Sequence, residues 1–308
     1  MKLSIVIPCY GSENTIENVV EEIKETIATR EGEYEIVLVN DCSPDGVWQK
    51  IVKLAKENEI VTGINLAKNF GQHAALMAGY RETTGDIVIS MDDDGQTPAD
   101  ELFSLVDKLE EGYDVVYGTY DNKMHSAFRN LGSKVNDFMC EKLVGKPKGL
   151  SVTSYFAMRR FVVDEICNYN NAFTYVLGLV LRTTRNIGTV SVKHRERQEG
   201  NSGYSLKKLF GLWMNGFTAF SVKPLRIASM LGMLFAFCGF VFLIYVFVNK
   251  LTNPLVPMGW SSMVSILLLV GGVILFTLGM IGEYLGRVYI SINEAPQYVI
   301  KETTDEEK

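Results

Sequence analysis

Over residues 1 to about 120, short Val- and Ile-rich runs alternate with longer stretches whose apolar residues recur at helical spacing. The apolar runs are nearly continuous, which is typical of strands covered on both faces. They predict strands at residues 3–7, 36–39, 61–66, 86–91 and 115–117. The amphipathic stretches predict helices at residues 14–29, 47–57, 73–83 and 99–111. This alternation indicates an α/β domain, a parallel sheet with helices on both faces.

Polar, glycine-containing segments follow four of these predicted strands, at residues 8–13, 40–46, 68–73 and 92–96. In doubly wound sheets, ligands bind at the carboxyl ends of the strands. We therefore expect a binding site where these four segments meet.

The pattern is less regular between residues 120 and 200. It predicts a helix at 128–144 and strands at 154–158 and 189–192. Residues 194–204 are polar and contain two glycines, and they predict a mobile loop. The helical stripe that follows carries large apolar residues, with two lysines off the stripe: Leu206, Phe210, Trp213, Phe217 and Phe220. This pattern predicts a helix in the membrane interface, and a core-facing helix is the alternative.

Two stretches without charge, residues 227–248 and 259–282, are each long enough to cross a hydrocarbon layer of about 30 Å. They predict a transmembrane hairpin, because a buried helical hairpin in a soluble protein seldom has two such runs. Lys223, Arg226 and Arg287 flank the spans and only Lys250 lies in the turn, so we expect both termini in the cytosol. The predicted domains are residues 1–204 (cytosolic α/β domain), 205–226 (interfacial helix), 227–285 (hairpin) and 286–308 (cytosolic tail).

Composition narrows the class of protein. The 308 residues carry a formal charge of −6, and an acidic chain without a basic tail argues against nucleic-acid binding. The five cysteines are scattered and lack a C-x-x-C motif, so neither a disulfide framework nor a zinc site is indicated. The first residues are not typical of a signal peptide, so we expect the N-terminal part to stay in the cytosol.

An apolar strand followed by Asp92-Asp-Asp-Gly-Gln96 is the strongest local motif. Asp92 and Asp94 can point to the same side, and with Gln96 they form a hard oxygen site for Mg²⁺ or Mn²⁺ that also binds a diphosphate. A solvated acidic turn is the alternative. A calcium loop is a third interpretation, but Ser90 stands at its first ligand position and a strand precedes it.

Three motifs at strand ends resemble family 2 glycosyltransferases with the GT-A fold: Pro8-Cys-Tyr10, Val39-Asn-Asp41 and Asp92-x-Asp94-Gly-Gln96. Further segments resemble the polyprenyl-phosphate glycosyltransferases, the group that includes dolichyl-phosphate mannose synthase and the bacterial undecaprenyl-phosphate glucosyl and aminoarabinose transferases. These segments are residues 69–73, 194–205, 223–226 and 282–289. The resemblance covers nearly the whole chain.

The resemblance implies a donor site that binds a nucleotide-sugar through Pro8, Tyr10, Glu13, Asp41 and Asp92. Asp92, Asp94 and Gln96 would hold Mg²⁺ or Mn²⁺ on the donor diphosphate. Two alternatives stay open. Asp41 can instead form an Asx turn within 41–46, and Glu13 can simply favour the first turn of its helix.

The resemblance also implies that Arg129, Ser133 and Arg197 bind the acceptor phosphate, and that both arginines act in catalysis with Asp94. A planar guanidinium binds phosphate oxygens bidentately and stays charged. A solvated helix face for Arg129 and a loop charge without a ligand for Arg197 are the alternatives. Lys134, Arg159 and Arg160 are expected at the surface or in structural roles.

The implied reaction moves a sugar from a nucleotide-sugar, UDP-linked by expectation, to a polyprenyl phosphate, by single displacement with inversion. The acceptor phosphate is already largely anionic at neutral pH, so no strong general base is needed. The implied setting is the cell membrane and its bilayer, with homo-oligomers a possibility because some relatives are oligomers. A different lipid acceptor and a non-catalytic membrane scaffold are the alternatives.

Four positions depart from the family pattern, and they are Gly11, Asn40, Asp93 and Gly95. Residues 151–155 and 169–184 match little of the family. These two segments would shape the sugar pocket, so the sequence leaves the sugar open.

Overall fold

The computed structural model describes residues 1–120, 141, 145–193, 223–252 and 259–304. The chain forms two compact units. One comprises Met1–Gly216 with Glu294–Lys308, and the other comprises Phe217–Asn293.

The described residues of the first unit contribute eight strands to one sheet. These are β1 Lys2–Cys9, β2 Glu33–Asn40, β3 Val61–Leu66, β4 Ile87–Ser90, β5 Val115–Tyr120, β6 Phe156–Arg159, β7 Ile187–Val192 and β8 Ile300–Thr303. Their order is β7-β5-β6-β4-β1-β2-β3-β8. The four neighbouring strands β4, β1, β2 and β3 are parallel, whereas β6 and β8 run antiparallel to their neighbours.

Helices cover both faces of this sheet, as the sequence predicts. They are α1 Ile16–Ile27, α2 Val47–Glu57, α3 Gln72–Glu82, α4 Leu102–Glu110 (after a short 3₁₀ turn), α5 Arg160–Cys167 and α6 Val176–Thr183. Side chains alternate along β1, so Ile5 and Ile7 join the core under α1, α2 and α4, while Val6 faces α3. At Gly79, α3 lies so close to the sheet that a Cβ would collide with Val6.

The strands of residues 1–120 run in one direction, as the alternating pattern predicts, but β6 and β8, which lie outside that region, run antiparallel to their neighbours. Apolar periodicity shows that a segment is a strand, but it carries no information about the direction in which the strand joins its neighbours. The direction depends on where the connecting chain takes the strand.

The strand β8 lies in the segment predicted as a tail. It pairs with β3, with Ile64 opposite Thr303 and Asn65 opposite Glu302. The backbone N–H of Gly63 donates to the Thr304 hydroxyl at 2.9 Å. The chain therefore returns from the second unit and covers the edge of the first unit's sheet. A strand of four residues that carries Lys, Glu and Thr gives little apolar signal in the sequence.

The second unit contains two long helices, α7 Lys223–Thr252 and α8 Trp260–Ile292. Among the described residues, one stretch, Leu269–Ile292, is long and apolar enough to cross a membrane, and Ala228–Phe242 forms a shorter apolar stretch. The helix α8 continues to Ile292, past residue 285, where the predicted hairpin ends.

Several predicted features lie outside the described residues. They are most of the helix at 128–144, the loop at 194–204 and residues 205–222 of the interfacial helix. The predicted domain boundaries stay a prediction.

Candidate active site

The candidate site lies at the edge of the sheet where the parallel strands β1 to β4 end. The segments that follow these strands are residues 10–15, 41–46, 67–71 and 91–98. Neighbouring parallel strands bring their carboxyl ends to one edge, which is why segments far apart in sequence meet here.

Reciprocal hydrogen bonds join the segments after β1 and β2. The N–H of Gly11 donates to the Ser43 hydroxyl at 2.8 Å, and the N–H of Glu13 donates to Asp45 Oδ2 at 2.9 Å. In return, Glu13 Oε2 accepts the N–H of Gly46, which caps α2, at 2.9 Å. The Glu13 carboxylate therefore stabilises the start of α2, a helix other than its own.

Asp41 holds the segment that follows β3. It is 3% exposed, and its two carboxylate oxygens accept the N–H groups of Phe70 at 2.7 Å and Gly71 at 2.8 Å. Burial raises the pKa of Asp41, and the two hydrogen bonds act in the opposite direction. Gly71 has a φ of +90°, which an L-residue rarely adopts, so a glycine is needed to turn this amide toward Asp41. These bonds replace the Asx turn that the sequence leaves open.

Tyr10 exposes its ring at the same edge. Its side chain is 55% exposed, while its backbone N–H donates to Asp93 Oδ2 at 2.9 Å. Pro8 is buried within β1, opposite Val39. An exposed aromatic face whose backbone is fixed from behind is suited to stacking on a planar base.

The three consecutive aspartates differ in their contacts. Asp92 accepts a hydrogen bond from Gln72 Nε2 at 3.0 Å and another from the Ser154 hydroxyl. Asp93 turns toward Tyr10, and burial raises its pKa to about 6. Asp94 Oδ1 accepts the N–H of Gln96 at 3.0 Å.

Asp92 and Asp94 both lie near Tyr120, the last residue of β5. Burial raises the pKa of Tyr120, and the negative charges of the two carboxylates raise it further. No group of three or more His, Cys, Asp or Glu side chains at metal-binding distance occurs in the part of the chain that the structure describes. Two carboxylates that accept hydrogen bonds from neutral groups still fit a Mg²⁺ or Mn²⁺ ion, because these ions complete their coordination with water and phosphate oxygens.

The predicted acceptor residues Arg129, Ser133 and Arg197 lie outside the described residues, as does Lys134. Two other arginines have the structural role that the sequence suggests. Arg159 donates to the carbonyls of Leu109 and Tyr113, and Arg160 donates to the carbonyl of Gly85.

Sequence reasoning missed Gln72, Ser154 and His73. Gln72 and Ser154 contact Asp92 from α3 and from the segment before β6, and no local motif indicates this approach. The His73 ring lies edge-on to Tyr175 at 5.2 Å, and burial lowers its pKa to about 4, so the imidazole is neutral at pH 7.

A Rossmann-like sheet with a carboxylate pair beyond β4 and an exposed tyrosine beyond β1 defines a nucleotide-sugar-dependent transferase of the GT-A type. Comparison with known proteins agrees. The profile described as "Glycosyl transferase family 2" matches residues 4–167, and that described as "GtrB C-terminal hairpin" matches residues 223–288. The chain belongs to glycosyl transferase family 2, and it is a membrane-associated glycosyltransferase.

Two curated relatives match over almost their whole length. Both are named undecaprenyl-phosphate 4-deoxy-4-formamido-L-arabinose transferase. The protein from Klebsiella pneumoniae (strain 342) is 32% identical over 97% of this chain and 93% of its own length. The protein from Proteus mirabilis (strain HI4320) is 33% identical over 100% of this chain and 95% of its own length.

Among solved structures, glucosyl-3-phosphoglycerate synthase from Mycobacterium tuberculosis in complex with Mn²⁺ and uridine-diphosphate-glucose has a TM-score of 0.54. It is 19% identical, and the match covers 70% of this chain and 77% of that chain. This likeness confirms the GT-A fold of the catalytic unit.

Proposed function

We propose that this glycosyltransferase moves a sugar from a UDP-sugar to a polyprenyl phosphate, undecaprenyl phosphate by preference, with inversion at the anomeric carbon. One observation carries the proposal. Similarity to the two undecaprenyl-phosphate transferases extends over both the catalytic sheet and the hairpin. The proposed donor-binding part and the proposed lipid-binding part are therefore both similar to those of the same transferases.

In the proposed donor site, the Tyr10 ring stacks on the nucleotide base and Asp41 accepts from a base N–H in addition to the amides that it holds. Asp92 and Asp94, with Gln96, hold a divalent cation at the diphosphate. When bound, this cation offsets the negative charge of the leaving nucleoside diphosphate. Glu13 supports the site through the segment after β2.

In the proposed acceptor site, Arg129 and Arg197 bind the lipid phosphate, and the Ser133 hydroxyl adds a hydrogen bond. The phosphate oxygen is the nucleophile. It carries charge at neutral pH because the second pKa of a phosphomonoester is about 6, so the protein needs no strong base. The arginines offset this charge and align the oxygen with the anomeric carbon.

The hairpin is the proposed membrane anchor. Large apolar side chains are exposed on both helices, among them Met230 (70%), Phe237 (65%), Leu267 (70%) and Leu275 (71%). Such surfaces are unfavourable in water and stable in lipid. We propose two membrane spans, cytosolic termini and residues 205–226 lying in the interface. Small residues along the spans, such as Gly232 and Gly272, would also permit a homo-oligomer.

The first test is a donor screen with the full chain in mild detergent. UDP-glucose, UDP-N-acetylglucosamine, UDP-galactose, GDP-mannose and UDP-4-deoxy-4-formamido-L-arabinose are each offered to undecaprenyl phosphate, and the product lipid is weighed by mass spectrometry. We expect one UDP-sugar to give a glycosyl phosphoryl lipid, with the product lost on addition of EDTA. Product only with diacylglycerol would favour the other-lipid alternative.

The second test concerns the carboxylates. Asp92→Asn and Asp94→Asn should each lower kcat at least about a hundredfold, because each removes an anionic ligand of the cation that offsets the charge of the leaving group. Asp100→Asn, an exposed carboxylate nearby, is the matched control and should remain active. If Asp94→Asn leaves function in cells intact, the result favours the scaffold alternative.

A further inference from the structure

A chain of amide hydrogen bonds crosses the sheet edge from the C-terminal strand toward the candidate active site. Asn65 Nδ2 on β3 donates to Glu302 Oε1 on β8 at 2.6 Å. Asn40 Nδ2 at the end of β2 donates to Asn65 Oδ1 at 2.8 Å, and Asn40 Oδ1 accepts the N–H of Ser43 at 3.0 Å. Asn40 is 3% exposed and Asn65 is 6% exposed, so water cannot readily replace the hydrogen bond between these two side chains.

The two ends of this chain set the orientation of every amide in it. The Glu302 carboxylate can only accept, so Asn65 must present its NH₂ group to it and its oxygen to Asn40. At the other end, the N–H of Ser43 can only donate, so Asn40 must present its oxygen there and its NH₂ group to Asn65. The orientations required from the two ends agree, and a reversal of one amide would leave two like groups facing each other.

The chain of bonds continues into the segment after β1. The Ser43 hydroxyl accepts the N–H of Gly11 at 2.8 Å and donates to Asp45 Oδ1 at 2.6 Å. Asp45 in turn accepts the N–H of Glu13. Contacts that begin at Glu302 therefore end on the residues beside Tyr10.

We propose that Asn40, Asn65 and Glu302 are positioning residues for the donor nucleotide, and that through them the C-terminal strand orders the segments after β1 and β2. The proposal rests on the proposed function in so far as the ligand is a UDP-sugar. It also accounts for Asn40, one of the four positions that depart from the family pattern. An aspartate there would place a second acceptor against Asn65 Oδ1, whereas asparagine supplies the donor that the chain requires.

The first experiment measures Mn²⁺-UDP binding by calorimetry on the full chain in detergent, with donor KM and kcat where transfer is observed. Glu302→Ala removes the terminal acceptor and should raise the UDP Kd about threefold to tenfold. Glu302→Gln keeps an acceptor oxygen and should bind nearly as the wild type does. Glu59→Gln, an exposed carboxylate outside the chain of bonds, is the matched control. KM should rise with little change in kcat.

The second experiment reverses the order of donors and acceptors along the hydrogen bonds that join Asn40, Asn65 and Glu302. Asn40→Asp alone should weaken UDP binding about tenfold, because two acceptors then face each other. The double variant Asn40→Asp with Glu302→Gln allows the Asn65 amide to rotate, donating to Asp at 40 while accepting from Gln at 302. The double variant should recover most of the lost affinity, whereas a general packing defect would make it worse than either single variant.

Amide hydrogen exchange of residues 10–13 and 43–46, without ligand, separates this proposal from the proposed function. Asn40→Asp should speed exchange in both segments, and the double variant should slow it again. If wild-type protein binds no UDP but the exchange pattern holds, the donor assignment fails and the coupling stands. If Asn40→Asp leaves exchange and affinity unchanged, or if the double variant recovers neither, the coupling is refuted.

Discussion

Glu35 on β2 contacts β1 and the segment before β4, at the edge of the sheet opposite the candidate active site. Its Oε2 lies 2.6 Å from Lys2 Nζ on β1, and its Oε1 accepts the Ser4 hydroxyl at 2.5 Å. From the segment before β4, the N–H and hydroxyl of Thr84 donate at 2.6 and 2.9 Å, and the N–H of Gly85 donates at 3.1 Å. We expect this carboxylate to stabilise the catalytic unit without taking part in catalysis.

The magnitude follows from the pKa. Burial raises the pKa of Glu35, but the hydrogen bonds from Lys2, Ser4 and Thr84 outweigh it and lower the pKa from 4.5 to about 2. By linkage, this difference is worth about 3 kcal/mol of unfolding free energy at neutral pH. The side chain is 18% exposed, and solvent screening reduces the expected value to about 2 kcal/mol. Because the folded pKa is depressed, this stability is present above pH 4.5 and is lost as the pH falls toward 2.

The perturbation is Glu35→Gln, measured by urea unfolding of the full chain in mild detergent. Trp48 on α2, which packs against the core, reports the transition when Trp213 and Trp260 are replaced by Phe. We expect the variant to lose about 2 kcal/mol at pH 7 and the difference from wild type to fall to about half by pH 3. Glu33→Gln, an exposed carboxylate on the same strand, should show no such difference.

Two results would contradict this reasoning. A stability difference that stays constant from pH 7 to pH 3 would mean that packing, and not charge, accounts for the effect. A fall in kcat of more than about twofold at pH 7, in protein that is still folded, would mean that the two edges of the sheet are coupled.

Three further changes have expected outcomes. Asp41→Asn places an NH₂ group against one of the two amides that Asp41 holds, so urea unfolding should show a loss of about 1–2 kcal/mol and UDP binding should weaken. A Cβ at position 71 would meet no atom within 4 Å, so any cost of Gly71→Ala comes from the φ of +90° alone. We expect this variant to lose about 1–2 kcal/mol of unfolding free energy in the same assay, and a loss near zero would contradict this. Arg81→Lys loses the fork that donates to the Tyr298 hydroxyl and to oxygens of residues 167–170, so limited proteolysis should cut the C-terminal segment faster, while unchanged cutting would show that Arg81 does not hold it.

The helices and strands of the catalytic unit could be predicted because they depend on local pattern. The sequence predicts helix α2 at 47–57 and strand β3 at 61–66, and both have those bounds in the structure. Strand β4 is shorter than predicted. The prediction extended to Met91, which is buried although it lies beyond the strand. Apolar periodicity reports which positions are buried, and a buried residue need not belong to a strand.

The candidate site could be predicted in part. The motifs beyond β1, β2 and β4 indicate Tyr10, Asp41 and Asp92, and the structure brings their strand ends to one edge. It also gives Asp41 and Glu13 hydrogen-bond partners on other loops, at Gly71 and Gly46. No spacing within a motif could indicate those partners, since they depend on the order of the strands.

By itself, the sequence determined the class of fold, the family and the apolar C-terminal stretches, because periodicity, run length and motif order can be seen along the chain. Only the tertiary structure decided that β6 and β8 are antiparallel and that Glu302 meets Asn65. Those pairings join residues more than two hundred positions apart or depend on the path of the connecting chain. These pairings are stabilised by hydrogen bonds that can form only once the folded sheet has brought the partner residues together.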